Sequence, residues 1–210
     1  MRYKESIRKE VIEMWELIHS QLTKSLSAIV LFDKDLAREV ILIEERVNSS
    51  ELMIDSDCEN FIALKSFSQT DLPFIMIVLK TNMLLERIGD AAVHIANEII
   101  HTKKPYNTRL LESTHLTELF RMVIKIFDLS LSSFENEDSS SGEIVFRRAE
   151  AFQEINSTSH PTLKNFIKNN PDQLDQALPI FSIIKNLERV VDQIKDLTKE
   201  VINYSDAKVA

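Results

Sequence analysis

Residues 85–90 read Leu-Glu-Arg-Ile-Gly-Asp and residues 187–192 read Leu-Glu-Arg-Val-Val-Asp, so one short pattern occurs in both halves of the chain. Glu98 and Glu200 continue the match at the same offset. Around each copy, apolar residues recur every three or four positions, a spacing typical of amphipathic helices. The match therefore predicts a tandem duplication of one helical unit.

The same apolar spacing extends outward from both copies and predicts six long helices. The expected helices cover, in order, residues 7–29, 36–61, 72–101, 109–134, 143–168 and the segment from 170 onward. A Pro-containing linker at 103–108 separates a first repeat, 1–103, from a second repeat, 109–204, and leaves a tail at 205–210. The fold expected is all-α, with two tandem three-helix bundles.

Two local features of the second repeat are also predicted. Residues 135–142 are polar and rich in serine, so we expect a flexible loop there. Pro161 falls inside the fifth helix and is expected to kink or break it, because proline lacks the amide hydrogen that a helix interior requires.

The composition supports a helical protein and excludes several functional classes. The 210 residues include only two glycines, whereas sheets with tight hairpins need glycine at positive φ. The formal charge is −8 with no concentrated basic face, which argues against binding to nucleic acid or to an anionic membrane. The longest apolar stretch, 74–79, is too short to span a bilayer, so no membrane insertion is expected.

The expected location of the protein is the cytoplasm. The single cysteine, Cys58, cannot form an internal disulfide, which fits a reducing compartment. It lies on an apolar helical stripe, and we interpret it as a core thiol. The charged start of the chain does not resemble a secretory signal peptide.

Two carboxylates interrupt an apolar stripe of the third helix. The stripe, which we expect to face inward, contains Leu72, Met76, Leu79, Met83, Glu86, Asp90, Val93, Asn97 and Ile100. Unpaired charge is costly to bury, so Glu86 and Asp90 are expected to be neutralised, and their i, i+4 spacing lets both reach one ion.

The second helix carries a matching polar row. Glu44, Asn48, Glu51 and Asp55 line one edge of its apolar seam, and they face Glu86 and Asp90 if the two helices pack antiparallel. Carboxylate and amide oxygens without histidine or thiolate suit hard cations, or iron or manganese. The second repeat offers Glu188 and Asp192, but Lys185 and Lys195 flank them and are able to neutralise them without any metal.

Two other interpretations remain open. The carboxylates fit equally a metal-free helical interaction module, in which they are solvated or paired with basic side chains. Glu98-x-x-His101 and Glu112-x-x-His115 have the Glu-x-x-His spacing of di-iron carboxylate bundles, so an oxidase is a third alternative. No catalytic triad or glycine-rich phosphate loop is present in the sequence, and we expect the protein not to be an enzyme.

The motif at 85–90, followed by Ile95-Ala96, resembles the most recognisable motif of the PhoU family of bacterial phosphate-transport regulators. The resemblance continues through Asp35-Leu36-Ala37, Val47-Asn48, Ile54-Asp55 and Asp71-Leu72, in the order of the family. It is weaker in the second half, where Val191 replaces the glycine of the motif.

The resemblance implies two three-helix bundles with multinuclear metal clusters on acidic surfaces. By position, the ligand candidates are Glu86, Asp90, Glu188, Asp192, Glu51 and Asp55, with Glu44 and Asn48 as neighbours. The implied cofactors are divalent or trivalent metal ions: iron, zinc, manganese or magnesium. The implied partners are the ATPase of a phosphate ABC transporter and a sensor histidine kinase, and the implied role is negative regulation of phosphate uptake and phosphate-starvation signalling. Long amphipathic helices also predict a homodimer.

Overall fold

A computed structural model describes residues 2–64, 67–136 and 139–209, and every regular element in these residues is helical. The eight α-helices are α1 (Arg2–Leu31), α2 (Lys34–Ala63), α3 (Leu72–His101), α4 (Thr108–Ser113), α5 (Leu116–Asn136), α6 (Ser139–Asn156), α7 (Ser159–Asn169) and α8 (Leu174–Val209). Short 3-10 turns precede α3 and α8. The all-α prediction is confirmed, with each repeat contributing three long helical segments.

The first repeat follows the predicted helix pattern closely. The apolar positions at the expected spacing in α1, from Ile7 to Ile29, are buried with the exception of the half-buried Leu26. Between α1 and α2, Phe32 adopts a φ of 52°, and Asp33 then caps α2 by accepting from the backbone N–H groups of Asp35 and Leu36. This cap satisfies amides that have no partner within the helix and fixes where α2 begins.

The second repeat has more breaks than the sequence predicted. The expected fourth helix is divided into α4 and α5 at His115, which has a φ of 55°. The expected fifth helix is divided into α6 and α7, so that Pro161 lies in the first turn of α7, where its missing amide hydrogen leaves no bond unmade. The predicted loop at 135–142 is wrong for the residues described: α5 continues to Asn136 and α6 begins at Ser139, while 137–138 lie outside the described residues.

The two repeats share one hydrophobic core, and α3 and α8 pack antiparallel at its centre. Lys80 donates to Glu200 at 2.7 Å near one end of this pair, and Ser182 donates to Glu98 at 2.7 Å near the other. On the opposite side of the core, Trp15 of α1 packs against two phenylalanine rings of α5, Phe127 and Phe134. Side chains from both repeats therefore stabilise each other throughout the length of the molecule.

The connection between the two repeats and the C-terminal end of α8 can be compared with the predicted boundaries. Residues 102–107 connect α3 to α4 and overlap the linker predicted at 103–108, and α8 continues through Val209 into the predicted tail. The boundaries proposed for the two repeats remain predictions. Among the described helices, none is both long enough and apolar enough to cross a membrane.

Candidate metal-binding surface

The stripe of α3 that carries Glu86 and Asp90 lies at the edge of the buried surface, so the prediction that it points into the core is wrong. Leu79, Glu86, Val93, Asn97 and Ile100 are half-buried, and the other residues of the stripe are exposed. Leu72, Met76 and Met83 are 48%, 47% and 42% exposed, and Asp90 is exposed beside them. The buried surface of α3 is wider than one stripe, because α3 packs against α1, α2 and α8 together. Its buried apolar residues are Phe74, Ile75, Ile77, Val78, Leu84, Leu85, Ile88, Ala91, Ala92, Ile95, Ala96 and Ile99.

The polar row of α2 nevertheless lies against this part of α3. Asn82 of α3 donates through Nδ2 to Asp55 Oδ1 and to the backbone carbonyl of Glu51, both at 2.9 Å. At Gly89 the two helices approach closely, since a Cβ there would lie 3.3 Å from both Glu44 Oε2 and Gln21 Oε1. The glycine of the motif thus permits the contact that brings the two acidic rows together.

Burial and neighbouring carboxylates raise the pKa values of three glutamates at this surface, Glu44, Glu51 and Glu86. Burial raises the pKa of Glu86, and the charges of Asp90, Glu51 and Glu44 raise it further, with Arg87 acting in the opposite direction. Burial is also the largest cause of the raised pKa values of Glu44 and Glu51, and Asp90 raises both. These groups therefore form one negatively charged surface, on which a bound cation would relieve mutual repulsion.

Several buried oxygen atoms at this surface lack a donor. Gln21 of α1 is fully buried and donates through Nε2 to Glu44 Oε2 at 2.8 Å. Glu44 Oε1, Gln21 Oε1 and Asn82 Oδ1 are buried without a hydrogen-bond partner among the described residues. Because buried acceptors are normally satisfied, these three oxygens fit a surface that coordinates a cation.

The carboxylates are spread along the helices and are not gathered around one point. In the described ranges, no three Asp, Glu, His or Cys side chains converge closely enough to hold a single ion. Asn48 is exposed between Glu44 and Glu51. Metal binding at this surface therefore requires the flexible glutamate side chains to rotate toward a common ion.

The second repeat presents a different environment. Glu188 accepts from Asn156 at 2.5 Å, from Lys185 at 2.6 Å and from His160 at 3.3 Å. Burial alone would raise the pKa of Glu188, but the hydrogen bonds from Lys185 and Asn156 outweigh it and lower the pKa. Asp192 lies 3.3 Å from Lys195, so both acids already have cationic partners within the chain.

The two Glu-x-x-His motifs do not come together. Glu98 and His101 line a cavity of about 770 Å³ between the end of α3 and the start of α8. Glu112 and His115 line a separate cavity of about 590 Å³ beside the α1–α2 turn. A di-iron site needs both motifs on facing helices at the same level, and this arrangement does not provide one.

Sequence reasoning missed three side chains that organise these surfaces. Gln21 and Asn82 are buried amides that donate to Glu44 and Asp55, and His160 lies 3.3 Å from Glu188. The available signal was a polar amide beside the apolar stripe of α1, at the position before Leu22. Its partner on α2 becomes apparent only when the helices are packed.

The chain folds as two tandem units of three long helical segments each, with an acidic surface between the second and third helices of the first unit. Two segments of the chain, 11–99 and 116–201, match the PhoU domain. The chain belongs to the PhoU family.

Known proteins similar to the chain support this assignment. It is 27% identical over 94% of its length to a phosphate-specific transport system accessory protein PhoU homolog from Burkholderia sp, 85% of which is covered. It is 26% identical over 95% of its length to phosphate-specific transport system accessory protein PhoU from Escherichia coli (strain K12), 82% of which is covered. The crystal structure of PhoU from Pseudomonas aeruginosa has the same fold, with a TM-score of 0.92 at 23% identity and 98% coverage of each chain.

Proposed function

We propose that the protein is a metal-binding regulatory adaptor of phosphate uptake. It lowers the activity of a phosphate transporter and of phosphate-starvation signalling through protein–protein contacts. Its partners are the ATPase of a phosphate ABC transporter and a sensor histidine kinase. The names of its relatives, which are accessory proteins of phosphate-specific transport systems, support the regulatory role.

The acidic surface between α2 and α3 is the observation that carries the metal-binding part of the proposal. Glu44, Glu51 and Glu86 have raised pKa values because they are partly buried and lie near other carboxylates. The ions of the proposal, iron, zinc, manganese or magnesium, are held by Glu86 and Asp90 together with Glu44, Glu51, Asp55 and Asn48. A bound ion would supply positive charge that fixes the relative position of the two helices and shapes a surface for a partner.

Elemental analysis of the purified protein tests this proposal. We expect bound metal in the wild type and a large loss in the variant Glu86→Ala/Asp90→Ala. The variant Glu188→Ala/Asp192→Ala is the comparison, and a smaller loss of metal is expected from it because lysine side chains already pair with both acids. An unchanged metal content in the first variant would favour the metal-free interaction module.

The second repeat is a weaker candidate because its acids are already paired. Glu188 and Asp192 remain proposed ligands, but an ion must first displace Lys185 and Lys195. Replacing both lysines by methionine should therefore increase the metal content of the protein. An increase that is abolished by the further change Glu188→Ala would assign the added metal to this site.

The partners and the assembly need separate experiments. Affinity capture from phosphate-replete and phosphate-starved cells should recover a phosphate transporter ATPase or a histidine kinase, with recovery that depends on phosphate supply. If neither protein is captured under either growth condition, the adaptor role is contradicted. Sedimentation velocity tests the predicted homodimer, and a cytoplasmic location is tested by cell fractionation.

A further inference from the structure

Apolar side chains are exposed on the same face of the α2–α3 pair as the acidic surface. Leu52 of α2 is 69% exposed, and Met76 and Met83 of α3 are nearly half exposed. Asn82 donates to the backbone carbonyl of Glu51, so these two residues lie at the same level of the antiparallel pair. Leu52 directly follows Glu51, and Met83 directly follows Asn82. Leu52 and Met83 therefore also lie at the same level. Exposed methionine and leucine side chains in a row are typical of surfaces that bind other proteins.

This face of the α2–α3 pair, which carries Leu52, Leu72, Met76, Met83, Glu86 and Asp90, is called the groove below. It has an apolar end and an acidic end. Along α3, Leu72, Met76 and Met83 come first, and Glu86 and Asp90 follow on the same exposed side. The distance from Leu72 to Asp90 is roughly 27 Å, the length of a helix of about 18 residues. Neither Glu86 nor Asp90 forms an ion pair within the described part of the chain, so in the metal-free protein both charges are available to a partner.

We propose that this groove binds an amphipathic helix of a partner protein, with apolar side chains at one end of the contact and Lys or Arg side chains at the other. Burial of Leu52, Met76 and Met83 would supply most of the affinity, and pairing with Glu86 and Asp90 would set the orientation. The inference rests on the adaptor role proposed above and names the chemistry of the partner.

Charge complementarity favours a basic helix over a second copy of this chain. A twofold dimer joined along the whole groove would place the acids of one copy against the apolar side chains or the acids of the other. Either arrangement leaves carboxylates desolvated without a cation. A basic helix instead satisfies both ends of the groove at once.

The second repeat provides a natural control surface. Leu174 and Leu178, which occupy the positions equivalent to Leu72 and Met76, are also exposed. The acids of that repeat are already paired with lysines, however, so a basic helix gains less there. The proposed binding is therefore expected at the first repeat and not at the second.

A fluorescence anisotropy titration with a labelled synthetic peptide tests the inference. The probe is an amphipathic peptide of about 18 residues, with leucines on one face of its first half and lysines on the same face of its second half. The protein is kept in chelator so that the acids carry no metal. We expect binding that weakens with salt, and no binding of a peptide with glutamate in place of lysine.

Matched variants identify where the probe binds. Met83→Ser should weaken binding about tenfold, since burial of this side chain is lost. Glu86→Gln should also weaken it and should reduce its salt dependence. Leu178→Ser should bind the probe as the wild type does. Because all three positions lie at the surface, each variant should keep the wild-type circular dichroism spectrum.

Three outcomes would overturn the inference. The first is equal binding of the lysine and glutamate peptides. The second is an equal loss of peptide affinity in Met83→Ser and Leu178→Ser. The third is conversion of a dimer to a monomer by Met83→Ser when the wild type does not bind the peptide. The last result would assign the groove to self-association. Metal content is measured independently. If the wild type does not bind the peptide but Glu86→Ala/Asp90→Ala loses metal, only the docking inference is refuted.

Discussion

The buried amide of Gln21 holds the acidic surface in place, and its removal has a measurable consequence. Gln21 donates through Nε2 to Glu44 Oε2 at 2.8 Å and to the Val40 carbonyl at 3.2 Å, while its own Oε1 has no partner among the described residues. Gln21→Leu keeps a side chain of similar size and removes both hydrogen bonds. Glu44 then remains partly buried next to Asp90 and Glu51 without a donor.

The expected loss of stability follows from these contacts. A hydrogen bond to a carboxylate contributes about 2 kcal/mol and one to a backbone carbonyl about 1 kcal/mol. Removal of the unpaired Gln21 Oε1 offsets about 1 kcal/mol, because a buried acceptor without a donor is itself unfavourable. Gln21→Leu should therefore lower the free energy of unfolding of the metal-free protein by about 2 kcal/mol near neutral pH.

Urea unfolding followed by the fluorescence of the single tryptophan measures this change. The loss should shrink as the pH falls, because a protonated Glu44 needs a donor less than a charged one does. Ser25→Ala is the matched control: Ser25 is fully buried one turn along α1, its Oγ has no partner in the described chain, and its removal should be neutral or stabilising. Equal losses for Gln21→Leu in wild-type and Glu44→Gln backgrounds would show that the Gln21–Glu44 bond contributes nothing.

Three further predictions concern pH, packing and thiol reactivity. The folded-state pKa values of Glu44 and Glu86 are raised, so stability contributed by their protonation is lost as the pH rises through those values. The urea midpoint of the metal-free protein should accordingly rise on acidification from about pH 7 toward pH 5.5, and rise less in Glu44→Gln/Glu86→Gln. Gly142→Val should lower the thermal midpoint by several degrees, because even a Cβ at Gly142 would lie 2.6 Å from Ile202 Cδ1. Cys58 is buried and has a pKa raised to about 12, so a thiol reagent such as DTNB should label it only after urea unfolds the protein, and rapid labelling of the native protein would contradict its position.

The periodicity of the sequence identified the helices better than it identified their buried faces. The apolar spacing of α2 predicted a seam of Leu36, Val40, Ile43, Val47, Ile54, Cys58 and Phe61. All of these are buried except Leu36 and Ile43, which are half-buried. On α3 the same reasoning selected the wrong stripe. A helix with three packed neighbours is apolar on most of its circumference, so the apolar residues Met76 and Met83 did not distinguish the exposed side from the core.

The breaks in the second repeat show another limit of local reasoning. Pro161 predicted a break in the fifth helix, and the structure has one just before it, between Asn156 and Ser159. The break at His115 has no proline or glycine to mark it. His115 has a positive φ, which histidine tolerates better than most residues, and Ser159 of α7 donates to the carbonyl of the preceding Thr114 at 2.8 Å. That contact is between residues far apart in the sequence, so local reasoning does not reveal it.

The candidate site was predicted in part. The rows on α2 and α3 were expected to face each other if the two helices pack antiparallel, and the structure brings Asp55 and Glu44 against α3 through Asn82 and Gly89. The lysine pairing of Glu188 and Asp192 was one of the alternatives left open, and the structure contains it. The assignment of any of these residues as metal ligands stays a prediction.

The antiparallel contact between α3 and α8 has a consequence for how the protein unfolds. Lys80–Glu200 and Glu98–Ser182 fasten the two central helices near both ends, and a continuous core fills the space between them. A relative movement of these two helices would break both contacts and expose part of the shared core to water. The two repeats are therefore expected to unfold together in one cooperative transition.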